Sequence, residues 1–186
     1  MKRREAIKRT ALMMGAAVSA STLAAVLDGC SPAGGGIEWT PQFLDASQAG
    51  LVNAIAERIL PRTETPGAQD IGVPAFIDRM YGQYLNEKEK QTLAEGLAQA
   101  EASSQAAHQQ AFTSLSGEQQ DELLKQMATA EGASQDFFRK MRELTLTGYF
   151  TSEMVAKEIL QYDPIPGAYK GCVPIAETGN VNWARM

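Results

Sequence analysis

Residues 143–174 read ELTLTGYFTSEMVAKEILQYDPIPGAYKGCVP. The composition is helical up to Gly148, which we expect to break the helix, and Thr151 or Ser152 can cap a second helix that runs to about residue 160. After Tyr162 the chain is too rich in Pro and Gly to continue as a helix, yet too apolar and aromatic for a free tail. The stretch therefore predicts helices that cover a core, followed by an extended segment that lies along a surface of its own domain or of a partner.

Upstream of this stretch, helix-start signals recur between turn-rich segments. Three pairs fit a capping box, in which a polar cap is followed three residues later by Glu or Gln; they are Asp45/Gln48, Asn86/Glu89 and Ser116/Gln119. Pro74 suits the first position of a further helix, and Ser134 is expected to cap the helix that enters the stretch quoted above. These signals predict about five to six helices.

Each predicted helix carries apolar residues at helical spacing on one face. The expected inner faces are Leu51, Val52, Ile55, Ile59 and Leu60; Phe76, Ile77, Met80, Tyr81, Tyr84 and Leu85; Leu93 and Leu97; Leu123, Leu124 and Met127; and Phe137, Phe138, Met141, Leu144 and Thr145. The second half of the helix from Asn86 to about Ala107 is rich in Ala, Gln and Ser, and we expect it to be exposed. Strand-like alternation with hairpin turns is absent from the sequence, which predicts an all-α fold: a compact helical bundle over residues 37–186 with an extended C-terminal tail.

The N terminus has the pattern of an export signal. Arg3 and Arg4 lie among basic residues that precede a mildly apolar run over residues 11–27. This run is short and weakly hydrophobic for a stable membrane span, which needs about 20 strongly apolar residues. Paired arginines before such a run predict a twin-arginine signal over residues 1–29. An amphipathic helix of a cytosolic protein is the alternative, but the face would be too uniformly apolar.

The end of this run, Leu27-Asp28-Gly29-Cys30, resembles a bacterial lipoprotein box. The resemblance implies that Cys30 is acylated and becomes the first residue of a lipid-anchored protein on the periplasmic face of the envelope. Asp28 departs from the small or hydroxylated residue usual there, so signal cleavage nearby without lipidation is the alternative. Residues 30–36 then form a flexible tether.

Charge and cysteine content limit the partners of the exported chain. Beyond residue 29 it has 12 Lys and Arg against 20 Asp and Glu, a net charge of −8. A basic patch for nucleic acid is absent, and ordinary solubility explains an acidic surface of this size, with a basic partner as the alternative. If Cys30 is lipidated, Cys172 is the one remaining cysteine, and it is either bonded to a partner or a buried free thiol. If Cys30 is not lipidated, a Cys30–Cys172 disulfide is possible.

Catalytic and metal-binding patterns are missing from the sequence. One histidine, His108, and two cysteines do not supply the usual zinc, haem c or iron–sulfur ligands. Nucleophile-elbow, dinucleotide and P-loop motifs are also absent. The acidic pairs Glu87/Glu89 and Asp121/Glu122 fit solvated helix starts. We therefore predict no catalytic, cofactor or metal site in this chain, and no enzyme activity of its own.

The aromatic side chains of the C-terminal stretch can serve as interface anchors. Tyr149, Phe150, Tyr162 and Tyr169 combine apolar rings with, in the tyrosines, a polar end, as interface residues often do. Packing of the tail onto its own bundle is an equal alternative, and the two are compatible.

Several motifs together resemble the gluconate 2-dehydrogenase subunit 3 family. They are the twin-arginine signal, Ile59-Leu60-Pro61-Arg62-Thr63-Glu64-Thr65-Pro66-Gly67-Ala68, Leu146-Thr147-Gly148-Tyr149-Phe150-Thr151-Ser152-Glu153, and the tail residues Tyr162-Asp163-Pro164, Pro166-Gly167, Tyr169 and Gly171-Cys172-Val173-Pro174. The resemblance implies a small helical subunit of a membrane-associated sugar or sugar-acid dehydrogenase. FAD and substrate would lie in a large partner subunit, and a cytochrome c subunit with haem c would take the electrons.

The resemblance also implies roles for the two ends. The small subunit would carry the folded large subunit across the membrane by its signal, and the tail, including Pro164, Cys172 and Pro174, would contact that partner. The competing hypothesis is a stand-alone envelope lipoprotein with a structural or binding role, its tail folded onto its own bundle. An adjacent dehydrogenase gene would favour the first hypothesis and an isolated gene the second.

Overall fold

The computed structural model describes residues 39–160 and, after them, residues 162, 165, 167, 172 and 174–178. The predictions for Arg3, Arg4, Cys30 and the tether fall outside the described residues. So do those for Pro164 and Tyr169.

Five α-helices make up the described part of the chain: α1 Ala46–Ile59, α2 Val73–Gln83, α3 Glu87–His108, α4 Gly117–Thr129 and α5 Ala133–Phe150. A 3-10 turn, Phe112–Ser114, lies between α3 and α4, and a π-helical turn, Val155–Ile159, follows α5. A second 3-10 turn, Ile175–Thr178, lies in the tail. The described residues contain no β-strand, which confirms the prediction of an all-α fold.

The three predicted capping boxes all form. Asp45 accepts a hydrogen bond from the Gln48 amide at 2.8 Å and Asn86 accepts one from the Glu89 amide at 3.0 Å, while Ser116 and Gln119 make the longer version at 3.4 Å. In each box the side chain of the third residue accepts a bond from the backbone amide of the cap. Backbone donors that a helix start leaves without partners are thus satisfied locally, which is why these starts were readable from sequence.

The other two helix starts use glycine. Gly72 precedes α2 with a φ of 75°, and Gly132 precedes α5 with a φ of 83°. Residues other than glycine rarely adopt this left-handed region. Helix α2 begins at Val73, one residue before the predicted Pro74, and the prediction of a Ser134 cap was wrong because α5 already begins at Ala133.

Helix α5 is the centre of the bundle and packs against each of the other four helices. Its inner face buries Phe137, Met141, Leu144 and Thr145. The ring of Phe137 lies directly over Gly96 of α3, so a β-carbon at Gly96 would overlap it. Such close approach of two helices requires a residue without a side chain at the crossing.

Gly148 does not break the helix, and that prediction was wrong. Helix α5 continues through it to Phe150, and the ring of Phe76 on α2 occupies the space that a side chain would need. A β-carbon at Gly148 would lie 2.7 Å from Cδ1 of Phe76. The glycine therefore serves helix packing rather than helix termination.

Two expectations about burial need correction. The second half of α3 is mostly exposed, as predicted, but Ala100 and Ser104 are completely buried, and the Ser104 hydroxyl donates to the Gln110 carbonyl oxygen at 2.7 Å. Tyr84, assigned to the inner face of α2, is 70% exposed because α2 ends at Gln83 and its last turn leads out of the bundle.

Asp78 on α2 holds the segment that leads into the bundle. Its carboxylate is 2% exposed and accepts three backbone amide hydrogen bonds, from Gln42 at 2.9 Å, Phe43 at 3.1 Å and Leu44 at 2.8 Å. A carboxylate loses its hydrogen bonds to water when it is buried, and these three amide donors replace them. The ring of Phe43 then packs on Gly82, one turn further along α2.

An ion pair connects α1 to α4. Arg58 donates from Nε and Nη2 to the two carboxylate oxygens of Asp121, each at 2.7 Å. The hydrogen bonds from Arg58 are the main reason that the pKa of Asp121 is lowered, and partial burial of the carboxyl acts in the opposite direction. Because the folded-state pKa lies below the unfolded-state value of about 3.9, the pair stabilises the fold above pH 4 and loses this effect as the pH falls through the folded-state pKa.

We expect Asp121→Asn to lower the free energy of unfolding by about 1 kcal/mol at pH 7, since it replaces a bidentate, partly exposed ion pair by a neutral contact. The difference from wild type should be smaller near pH 3 than at pH 7, because the stabilisation from the lowered pKa of Asp121 is lost as the pH falls through the folded-state pKa. Urea unfolding at the two pH values measures this. Glu122→Gln, an exposed acid on the same helix, is the control; an equal loss at both pH values would contradict an electrostatic cause.

Candidate partner-binding face

The loop between α1 and α2, residues 60–72, is held by two carboxylates. Glu57 accepts hydrogen bonds from the backbone amides of Arg62 and Gln69, each at 3.0 Å. Asp70 accepts from the Gly67 amide at 2.8 Å and from Nε of Arg62 at 2.6 Å. The Arg62 guanidinium is the first cause, and the Gly67 amide the second, that lowers the pKa of Asp70. The carboxylates of Glu57 and Asp70 therefore hold the loop by hydrogen bonds to its backbone amides.

Gly67 lets the loop close on Glu57. A β-carbon there would lie 2.8 Å from the Arg62 amide nitrogen and nearer still to the Glu57 carboxylate. Ala68 beside it is completely buried, and its amide donates to the Leu60 carbonyl oxygen at 2.9 Å. Residues 61–65, by contrast, are exposed. The loop thus has a fixed base and an accessible outer edge.

Tyr149 joins this loop to the end of α5. Its ring is 6% exposed, and its hydroxyl donates to the Pro66 carbonyl oxygen at 3.0 Å. The two residues are 83 positions apart in sequence, in the two internal motifs that carried the family resemblance. The structure therefore brings these motifs together, with Tyr149 in a packing role rather than on the outer surface.

Phe150 and Met154, in contrast, face outward. Phe150 is 43% exposed and lies edge-to-face against Tyr149, with ring centroids 5.2 Å apart. Met154 is 42% exposed. Two large apolar side chains thus remain accessible beside a buried, hydrogen-bonded tyrosine, as at a surface that a partner covers.

Ser152 turns the chain after α5. Its hydroxyl donates to the Tyr149 carbonyl oxygen at 2.8 Å and accepts from the Val155 amide at 3.3 Å. The predicted last helix, from about Ser152 to Leu160, is present as a short helical segment over residues 153–159 that is π-helical over Val155–Ile159. Val155 and Ala156 are buried, so this turn is part of the bundle.

The described tail positions are mostly accessible. Tyr162 is half-buried, Cys172 is an exposed free thiol, and Pro174 is exposed. Ile165 and Ile175 expose 85% and 70% of their surfaces. We use the name C-terminal face for the set of exposed residues in this part of the chain, without implying contact among them: Phe150, Met154, Ile165, Cys172, Pro174 and Ile175.

His108 and the acidic residues at the start of α3 have polar partners within the bundle. Nδ1 of His108 lies 3.4 Å from the side-chain nitrogen Nε2 of Gln119. Glu87 forms an ion pair with Lys90 at 3.1 Å, and Glu89 forms one with Lys140 at 3.0 Å. Among the described residues, no three His, Cys, Asp or Glu side chains are arranged to hold a metal ion. None of the described helices combines the length and the apolar character needed to cross a membrane.

We expect Tyr149→Phe to lower the free energy of unfolding by about 1 kcal/mol, because it removes the hydroxyl and leaves the Pro66 carbonyl oxygen without that donor. Urea unfolding measures the loss. Tyr84→Phe, at a largely exposed ring, is the matched control and should be neutral. Equal stability of the two variants would show that the link between loop and α5 contributes nothing.

Comparison with known proteins identifies the family of this chain. The comparisons with curated proteins and with solved structures gave no match. The family described as gluconate 2-dehydrogenase subunit 3 matches residues 46–167, about two thirds of the chain. The match spans α1 to α5, the loop, and the start of the tail, and so includes both motifs that Tyr149 joins. The chain therefore belongs to the gluconate 2-dehydrogenase subunit 3 family.

Proposed function

We propose that this protein is a non-catalytic accessory subunit of an exported, flavin-dependent sugar or sugar-acid dehydrogenase of the GMC type. It supports export, stability and membrane attachment of the large subunit. FAD is bound by that large subunit, and a cytochrome subunit with haem c accepts the electrons. Membership of the subunit 3 family is the observation that carries this proposal.

The C-terminal face is the surface that we assign to the large subunit. Tyr149 and Ser152 fix the end of α5, so Phe150 and Met154 are held in place while they stay exposed. Side chains that are already positioned lose little conformational entropy on binding. Ile165 and Ile175 of the tail are also exposed and add apolar surface that a partner would bury.

Export and attachment rest on the N-terminal sequence. Arg3 and Arg4 support translocation of a folded complex by the twin-arginine route, and Cys30 supports a lipid anchor at the periplasmic face. A stand-alone envelope lipoprotein shares both features but does not need a partner for its C-terminal face.

The proposal is tested by purifying the tagged protein from detergent-solubilised membranes. We expect a flavoprotein in the eluate, with flavin absorbance and dye-linked oxidation of sugars. Phe150→Ser should reduce its recovery severalfold, whereas Tyr84→Ser, at an exposed ring in neither motif, should not. A flavin-free monomer under conditions that keep membrane complexes intact would refute the accessory role and favour the stand-alone lipoprotein.

Cys172 is exposed and free, so it is accessible to a thiol of the large subunit. We expect a disulfide between them, formed by exchange with a disulfide-bearing oxidant of the periplasm that takes up the two electrons and two protons, and seen as a band on non-reducing gels that reduction removes. Cys172→Ser should abolish the band and lower the amount of complex that survives dilution. Unchanged co-purification of this variant, with no such band in wild type, would exclude a covalent link.

A further inference from the structure

A groove lies between α1, α4 and α5, outside the C-terminal face. It has a volume of about 410 Å³ and is open to solvent. Ile59, Leu124 and Phe138 supply apolar walls, and of these Ile59 and Phe138 are only half-buried by the bundle. The groove therefore leaves apolar surface uncovered between three helices.

The charges around the groove are unequal. Arg58 and Asp121 neutralise each other through their bidentate pair. Lys125 and Arg142 also line the groove, are exposed, and have no carboxylate within ion-pair distance in the part of the chain that the structure describes. The lining of the groove thus carries a net charge of +2, from Arg58, Lys125 and Arg142 against Asp121, on a chain whose net charge beyond residue 29 is −8.

The shape and charge favour one kind of occupant. Small-molecule sites enclose most of their ligand, whereas this groove is open to solvent. Recognition of anionic lipid takes clusters of about four to eight cations, and two are present here. An acidic protein segment matches both features, because an apolar side chain can cover the walls while flanking carboxylates reach the two cations.

We propose that this groove binds an acidic segment of the large dehydrogenase subunit, with carboxylates at Lys125 and Arg142 and an apolar side chain against Phe138. The proposal rests on the accessory function above and adds a second contact region, made by α1, α4 and α5 and sharing no residue with the C-terminal face. The groove sets orientation and association rate by charge, while the C-terminal face supplies most of the apolar contact.

The first test is the affinity of the small subunit for the purified large subunit. We expect Lys125→Glu/Arg142→Glu to raise the Kd about tenfold at low salt, and the difference to shrink near 1 M salt, where charges are screened within about 3 Å. Arg79→Glu/Lys88→Glu makes the same change of charge at exposed cations outside the groove, and should leave the Kd within about twofold of wild type. Circular dichroism and urea unfolding confirm that both variants fold.

The second test identifies the groups in contact. A carbodiimide links an amine to a carboxylate that touches it, so treatment of the complex should join Lys125 to an Asp or Glu of the large subunit. Mass spectrometry locates the linked peptide. Lys125→Arg keeps the charge but removes the amine, and should lose this cross-link while keeping the Kd. Lys88 should give no cross-link to the partner.

The outcomes separate the two proposals. A wild-type protein that binds no flavoprotein refutes the accessory function. If the complex is stable but its Kd is unchanged in Lys125→Glu/Arg142→Glu, only the groove proposal is refuted. The same holds if Lys125 forms no cross-link to a carboxylate of the large subunit. If the double variant instead changes self-association or binding to anionic vesicles, with Kd unaltered, the occupant is a second copy or a membrane and the proposal is wrong.

Discussion

Gly96→Ala should lower the free energy of unfolding by about 2–3 kcal/mol, although alanine is the better helix former by about 1 kcal/mol. The added methyl group would overlap the ring of Phe137, which is completely buried between α3 and α5. Since Phe137 has no free space to move into, the two helices must separate and lose contact along the centre of the bundle. Urea unfolding with a constant m-value measures this loss.

A matched substitution separates crowding from helix propensity. Gly50 lies in α1, and the nearest atom to a β-carbon there is Cγ2 of Thr113 at 3.9 Å, an ordinary contact. Gly50→Ala should therefore stabilise the protein by about 0.5–1 kcal/mol. Phe137→Leu combined with Gly96→Ala should cost less than the sum of the two single changes. A stabilising Gly96→Ala would contradict the close packing of α3 against α5.

Asp78→Asn should lower the free energy of unfolding by about 3 kcal/mol. The amide side chain keeps one acceptor oxygen, so the amides of Gln42, Phe43 and Leu44 lose a charged acceptor and at least one of them faces an NH₂ group. Hydrogen bonds to charged groups and buried donors without partners are each worth about 1–3 kcal/mol. Urea unfolding at pH 7 gives the total loss.

The loss should be concentrated at the segment before α1. Hydrogen exchange of these three amides should speed up by more than tenfold, while amides in the middle of α5 should change only with global stability. Asp136→Asn, at an acid whose side chain is 54% exposed and pairs with Arg139 on the surface, is the control and should cost under about 0.5 kcal/mol. Slow exchange retained in Asp78→Asn would show that the carboxylate does not hold the segment.

Local signals predicted most of the helices. The boxes at Asp45, Asn86 and Ser116 each satisfy backbone donors within three residues, so their geometry depends on nothing distant. The inner faces of α4 and α5 were also predicted, because Leu123, Met127, Phe137 and Met141 repeat at helical spacing. The family resemblance rested on such short stretches, and the match over residues 46–167 confirms it.

What the sequence did not indicate depends on contacts between distant residues. Gly148 has the composition of a helix break, but its role is set by Phe76 on another helix. Asp78 looks like a polar interruption of an apolar face, and only the fold brings the amides of residues 42–44 to it. Likewise, the sequence left Tyr149 equally open to an interface and to packing on its own bundle, and the bond of its hydroxyl to the Pro66 carbonyl oxygen shows the packing.

The groove shows the same limit at the level of a site. Arg58, Lys125 and Arg142 lie on three different helices, and each is unremarkable in its own segment. Their convergence follows from how α1 and α4 cross α5. Charge counted along the chain gives only the net acidity of the domain, which conceals this local excess of positive charge.

The central place of α5 also determines when the chain can fold during synthesis. Helices α1 to α4 all pack against α5. The apolar faces of these four helices, whose synthesis begins at Ala46, therefore lack this common partner until Phe150 has been added. At about 5–20 residues per second, roughly 5–20 s separate the two events. During that interval the nascent chain exposes its future core, and we expect it to depend on a chaperone until the ribosome has completed the last α-helix.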